Sequence, residues 1–178
     1  RDNLSSIPYF QKHAMQMEEQ LIRQADVVAT NSEFLANYAR IFNPNAKMVG
    51  QGCDFSMYCE PVNIEVAIDL KSIKGPVIGY TGFLTSVRLD IELLESLARR
   101  NPQWSLVLVG PEDDSFKKSE LHRMPNVYFL GNKAPETLPS YIKGFDVAIN
   151  PQALNEVTMG NYPRKIDEYL AVGKPVVA

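Results

Sequence analysis

The chain has 178 residues, 45% of them apolar and 22% charged, and carries a net charge of −3. This is the balance of a globular protein large enough to bury a core, and the small negative charge excludes the basic field that nucleic-acid binding needs. Cys53 and Cys59 fit neither a zinc spacing nor a disulfide framework and read as free thiols; no apolar run has bilayer length and no signal peptide is visible.

Pro8 suits a first helical turn, and Phe10, Ala14, Met17 and Leu21 then recur at helical spacing. Ala25 to Thr30 is a β-branched run that predicts a buried strand. Asn31 or Ser32 caps a second helix with Glu33 in its first turn, and Phe34, Leu35, Tyr38, Ala39 and Phe42 form its buried side. Asn43-Pro44-Asn45 ends that helix, Lys47 to Val49 is a weak strand, and Gly50-Gln51-Gly52 is a bend. Residues 55–75 have no clean period and read as a connection between two lobes.

From Pro76 the pattern becomes regular. Val77 to Thr81 is a strand, Gly82 opens a loop, and Asp90 caps a helix carrying Ile91, Leu93, Leu94 and Leu97. Strands follow at 104–109, 126–130 and 146–149, with a helix near 135–143 between the last two. A polar loop runs from Asn150 to Tyr162, the helix Pro163 to Val172 ends at Gly173, and Pro175 leads into a final strand. Strands alternating with helices predict an α/β fold, a Rossmann-like parallel sheet flanked by helices with right-handed crossovers.

Ligands of such sheets bind outside the carboxyl ends of the strands. The loop before Pro163-Arg164-Lys165 opens a helix there, where free N–H groups and the helix dipole favour an anion. Arg164 and Lys165 are cations in a first turn that normally disfavours them, which a bound phosphate explains. Glu168 shares a helix face with Lys165 and suits two vicinal hydroxyls, as acidic residues do for ribose; a surface ion pair with Arg164 or Lys165 accounts for the spacing equally well. Gly82 permits close backbone approach and Arg88 reaches toward a diphosphate, against the plainer reading of a strand-to-helix turn with a solvated arginine. The absence of G-x-G-x-x-G argues against a dinucleotide cofactor. Gly131-Asn132-Lys133 presents backbone groups suited to a planar base or is simply a turn. His13 and His122 have no partner suggesting catalysis, His122 reads as exposed, and Asp113 and Asp114 read as a solvated loop.

The stretch from Tyr162 to Val177, YPRKIDEYLAVGKPVV, resembles the P-x-K-x-x-E-Y-L-A-x-G-K-P-V-V signature of family-four glycosyltransferases of the GT-B fold. Three further stretches stand in matching order: Ala25 to Ser32, Trp104 to Gly110 and Asn126 to Gly131. The resemblance covers the chain from Glu18 onward and implies a two-lobed enzyme with a cleft. Residues 1–54 would be the tail of the acceptor lobe, 55–75 the connection, and 76–178 an incomplete nucleotide-sugar lobe. Because the chain starts at Arg1 and stops in a strand, it reads as a fragment that binds nucleotide weakly and transfers no sugar alone. The resemblance implies transfer from a nucleotide diphosphate sugar, with retention and without a metal or other cofactor. The acceptor would be a glycan, polysaccharide or lipid-linked glycan. The setting would be cytoplasmic, with any membrane contact at its inner face made by the missing lobe. Lys165, Pro163 and Arg164 fall in the diphosphate region, with Arg88 and Lys165 as the catalytic pair; Glu168 matches the ribose glutamate; Gly131, Asn132 and Lys133 match the base-binding turn. Two positions depart from the family: Gly160 stands where a glutamate is frequent, and Phe83 and Leu89 stand where an arginine and a lysine are frequent, with Arg88 beside the latter. A sugar-nucleotide epimerase on the same fold and a non-catalytic nucleotide-binding module are the rival readings.

Overall fold

A computed structural model describes residues 13–59 and 64–178. Their contacts divide the chain into two compact units. The first comprises residues up to Gly52 together with Leu154–Pro163, and the second comprises Cys53–Ala153 and Arg164–Ala178. Among the described residues no helix is long and apolar enough to cross a membrane.

The first unit holds helix α1 (Ala14–Gln24), strand β1 (Val28–Thr30), helix α2 (Glu33–Arg40) and strand β2 (Ala46–Met48), with β1 and β2 parallel. Pro8 and Phe10 lie outside the described residues. Ser32 is the N-cap of α2, its Oγ accepting from Leu35 N at 3.3 Å, an arrangement worth about 1 kcal/mol. The small core is Ile22, Ala39 and Ala46 with Val28, Tyr38 and Phe42 against it. Two expectations fail here. Phe34, expected on the buried side of α2, is half exposed, because the helix turns Ala36 and Ala39 inward instead. The strand expected at 25–30 is shorter and only partly buried, and Val27 before it is exposed. Asn43, read only as part of a helix terminator, is buried: its Nδ2 donates to Ile22 O at 2.9 Å and Ala25 O at 2.6 Å, tying the end of α1 to the turn after α2.

The second unit opens with the short helix α3 (Phe55–Tyr58). Its five-stranded sheet is formed by β3 (Val77–Thr81), β4 (Ser105–Val109), β5 (Val127–Gly131), β6 (Val147–Ile149) and β7 (Val176–Val177). All neighbours are parallel, in the order β5-β4-β3-β6-β7. Helices α4 (Ile91–Arg100), α5 (Asp114–Lys118), α6 (Leu138–Lys143) and α7 (Lys165–Ala171) make the crossovers. The strand periodicity sorts the core into two layers. Val107 and Val109 of β4 face Tyr141, Ile142, Phe145, Tyr169 and Val172, while Leu106 and Leu108 face Leu94, Ala98, Phe116 and Leu121. The chain order reverses between β3 and β6, the place where sheets of this kind bind ligands.

Gly79 lets a ring lie flat on β3. A Cβ at that position would stand 2.2 Å from the ring of Phe145, which is itself 1% exposed. Gly79→Ala should therefore cost about 1–3 kcal/mol through overpacking, read as a lower urea midpoint at unchanged slope.

Candidate active site

The predicted site residues of the second unit lie at the carboxyl ends of β3 and β5 and at the start of α7, and Gly82, Lys165 and Glu168 come together there. Tyr169 sets the position of α7. Its hydroxyl oxygen accepts from Thr81 N at 2.8 Å and lies 3.2 Å from Thr81 Oγ1, joining the helix to the last residue of β3. The side chain is fully buried, and burial pushes its phenol far above the ordinary tyrosine value. With Tyr169 fixed, Glu168 beside it and Lys165 one turn earlier are fixed too.

Lys165 runs past Gly82. A Cβ on Gly82, whose φ is +136°, would come within 3.2 Å of Lys165 Cε and 3.0 Å of the Tyr80 hydroxyl. The glycine expected to admit a ligand makes room for the lysine stem. Burial pushes the Lys165 ammonium below its ordinary value; Glu168 pulls it back up, and Arg88 and Arg164 push it further down. Glu168 is buried, and its Oε1 lies 3.3 Å from Arg164 Nε, the i,i+4 pair that the spacing allowed. The carboxylate has neighbours the sequence did not flag. Helix α3 packs against α7. There, burial followed by the charge of Glu168 pushes Tyr58 up to about 12, and burial with Asp167 and Glu168 pushes Cys53 up. Both lie at the edge of a stretch without period, so no signal marked them.

Arg88 sits in the loop after β3 and is held by its backbone: its N–H donates to Thr85 O at 3.0 Å and its carbonyl accepts from Ala153 N at 2.9 Å. Asp113 pins the same loop. Its Oδ2 accepts from Ser86 N at 2.7 Å and Ser86 Oγ at 3.0 Å, and its Oδ1 accepts from Phe116 N at 2.8 Å, capping α5. Burial opposes ionisation, yet these hydrogen bonds hold the Asp113 carboxyl below its usual range. Asp113 is therefore a structural clamp and not the solvated residue expected; Asp114 is exposed as expected. His122 is exposed, but its Nε2 lies 2.7 Å from Glu112 Oε2 and its ring stacks on Phe129 at 3.9 Å.

Gly131 ends β5 with φ +70°, open space lies around its α-carbon, and Asn132 is exposed beside it. Lys133 is committed elsewhere. Its Nζ meets Asp69 Oδ2 at 2.9 Å, and the Tyr141 hydroxyl donates to the same oxygen at 2.8 Å. Any contact from this turn to a planar base therefore falls to the backbone and Asn132. Pro163 closes the segment assigned to the first unit, and the described helix begins only at Lys165. In that segment Gly160 has φ +77°, and a Cβ there would stand 2.2 Å from the Phe34 ring. A cleft of about 430 Å³ in the first unit is lined by Glu18, Leu21, Ile22, Asn31, Tyr38 and Gln51 among others, and by none of the predicted site residues.

Residues 75–178 match the model of the family described as glycosyl transferases group 1. The chain belongs to that family. It is 29% identical over 185 residues to TuaH of Bacillus subtilis (strain 168), a protein named for a glycosyltransferase role in teichuronic acid biosynthesis, covering 99% of this chain and 46% of that protein. Among solved structures, Anabaena Alr3699/HepE in complex with UDP and glucose superposes with a TM-score of 0.74 at 22% identity, over 99% of this chain and 50% of that one. Sucrose-phosphate synthase from Thermosynechococcus elongatus gives 0.66 at 20% identity, over 91% and 42%. The chain thus spans about half the length of the relatives it matches, and its fold is that of half a GT-B glycosyltransferase.

Burying an ammonium against a tyrosine ring costs stability. Because the Lys165 pKa is lowered on folding, that penalty is fully present below the folded value and is relieved as pH rises toward the ordinary lysine value. Lys165→Met keeps the stem and removes the charge. It should raise the melting temperature at neutral pH, with the gap to wild type closing in alkaline buffer, as followed by calorimetry across a pH series.

Proposed function

We propose that this chain supplies the nucleotide-sugar-binding half of an enzyme that transfers a sugar from a nucleotide diphosphate donor, with retention and without a metal, to a glycan or lipid-linked acceptor. The observation that carries this reading is the clustering of cations. Arg88 and Arg164 both act on the half-buried Lys165 with repulsive sign, and among the described charged groups acting on it only the buried Glu168 attracts. An anion bound among them relieves the repulsion, and a diphosphate has the right charge. The solved relatives holding UDP and UDP-glucose support a uridine donor, and the teichuronic acid relative supports a polysaccharide acceptor. The acceptor residues and any contact with the inner face of a membrane would lie outside this chain, in a cytoplasmic enzyme.

The chemistry follows from charge. Breaking the anomeric bond leaves negative charge on the departing diphosphate. Preaimed cations stabilise that charge, each by about 3–4 kcal/mol when ideally placed. Lys165 and Arg88 have this role, with Arg164 shared between the phosphates and Glu168. Glu168 accepts from the ribose hydroxyls, and the Gly131–Asn132 turn borders the base.

One observation favours a non-catalytic nucleotide-binding module. At Gly160, where relatives with a glutamate would place a carboxylate near the sugar, the left-handed backbone and the Phe34 ring exclude a side chain. Assay of the whole enzyme decides between the two readings, since only a transferase turns over UDP-sugar.

Three outcomes are expected. Glu168→Ala should weaken UDP binding by about 1.5–3 kcal/mol in titration calorimetry. The Arg88→Ala, Lys165→Ala double variant of the whole enzyme should lose turnover by at least about a hundredfold; turnover equal to wild type would refute the assignment of the two cations. UDP affinity should also decline as pH rises through the lowered Lys165 value, because only the ammonium binds the diphosphate.

A further inference from the structure

Lys165 is mostly buried at the start of α7, and the group beneath its ammonium is an aromatic face. Its Nζ lies 5.1 Å from the centroid of the Tyr80 ring. Tyr80, on β3, is 2% exposed and belongs to the core layer of Ile78, Leu84 and Leu94, and its hydroxyl reaches Phe83 O only at 3.4 Å. Glu168, the nearest carboxylate on the same helix, is engaged by Arg164 at 3.3 Å. A lysine so placed usually extends to water. Here Gly82 has no side chain to crowd the Tyr80 hydroxyl and Lys165 Cε, and the ammonium lies over the ring. An ammonium over an aromatic face within about 6 Å is attracted by the ring quadrupole, more strongly when water is excluded.

We propose that Tyr80 is a positioning residue for the transfer reaction: its ring face holds the Lys165 ammonium at the carboxyl end of β3, where the donor diphosphate binds. The role in transfer rests on the function proposed above, whereas the Tyr80–Lys165 pairing rests on geometry alone. The groups acting on the ammonium are the ring of Tyr80 from β3, Glu168 and Arg164 from the α7 segment, and Arg88 from the loop after β3. Only the ring and Glu168 favour the charged form. Burial already lowers the ammonium's proton affinity, so removing the quadrupole lowers it further.

The test is a series at Tyr80 that keeps shape and varies the ring's electrons: Tyr80→Phe, replacement by a trifluorinated phenylalanine, and Tyr80→Leu. The fluorinated ring preserves packing even if the leucine variant fails to fold. Two quantities are read in the whole enzyme: the Lys165 titration, by NMR of the isotopically methylated lysine, and UDP affinity, by calorimetry. Tyr80→Phe should match wild type. The fluorinated ring should move the Lys165 titration to lower pH and weaken UDP binding about fivefold, the loss expected of a partly desolvated cation–π contact. In a Lys165→Met background the same ring changes should leave UDP affinity unaltered. A Lys165 titration indifferent to fluorination, or an equal loss of affinity in the Lys165→Met background, overturns the positioning role. A titration that follows the series while Lys165→Met itself leaves UDP affinity unchanged sinks the proposed function and leaves the pairing standing.

Discussion

The geometry of the site depends on one hydrogen-bonded junction, the Tyr169 hydroxyl at the end of β3. Helix α7 has only seven residues and no side-chain N-cap, so little in its own sequence fixes where it starts or how it is rotated. Tyr169 supplies that information from below, accepting from Thr81 N inside the core. The backbone N–H of a terminal strand residue would otherwise be buried without a partner, at a cost of about 1–3 kcal/mol. Satisfying it from α7 couples the rotation of the helix to the register of the sheet. Glu168 and Lys165 inherit their positions from that coupling, and so the aromatic residue next to the proposed ribose ligand is as much a part of the site as the ligand itself.

On the function proposed above, the fold gives up stability at this site for binding. A globular core gains nothing from an ammonium on a buried tyrosine ring among arginines, and an aliphatic side chain at Lys165 would pack as well without desolvating a charge. The ring beneath the ammonium offers partial compensation for its burial, and the bare Gly82 leaves room for the stem. Asp69, Lys133 and Tyr141 are a contrast in the same unit. There burial of Asp69 is offset by hydrogen bonds from Lys133 and Tyr141, and opposite charges are matched within the protein. One network matches its charges within the protein and braces a turn; the other leaves its cations in excess, as the proposed anion site requires.

Much of the second unit was legible in the sequence, because each parallel strand is a short apolar run and each helix carries a cap or a terminator that local chemistry enforces. Asp90 caps α4 as expected, with Leu93 N donating to its Oδ1 at 2.9 Å, and Gly173 follows α7 with φ +79°. The Lys165–Glu168 helix face and the Arg88 loop were legible for the same local reason. What escaped was long-range. Asp69 reaches Lys133 across 64 residues, and Tyr58 and Cys53 approach Glu168 from a segment with no period of its own. Phe34 was misplaced because helical spacing gives a stripe but not which edge of that stripe meets the sheet. Asp113 was misread because its clamp on Ser86 joins two loops, and neither loop reveals the other.

The open network is best understood through the anchoring of its cations. Arg88, Arg164 and Lys165 come from two stretches of chain, and mutual repulsion would drive flexible side chains apart into solvent, where it is screened within about 10 Å at ordinary salt. The fold resists this by fixing what lies beneath each of them. Backbone hydrogen bonds on both sides and the Asp113 clamp hold the Arg88 loop, Glu168 holds Arg164, and Gly82 with Tyr80 holds Lys165. Positions prepared in this way need little reorganisation when negative charge develops on a leaving group, which is the condition under which fixed charges lower a barrier most. Uneven anchoring then suggests a division of labour. Arg164 is exposed and paired, so it can exchange Glu168 for phosphate, whereas Lys165 is half-buried with an aromatic face behind it and has fewer directions open to it. On the function proposed above, Lys165 and the backbone-anchored Arg88 then face the leaving group, and the exchangeable Arg164 tunes how tightly the donor is held.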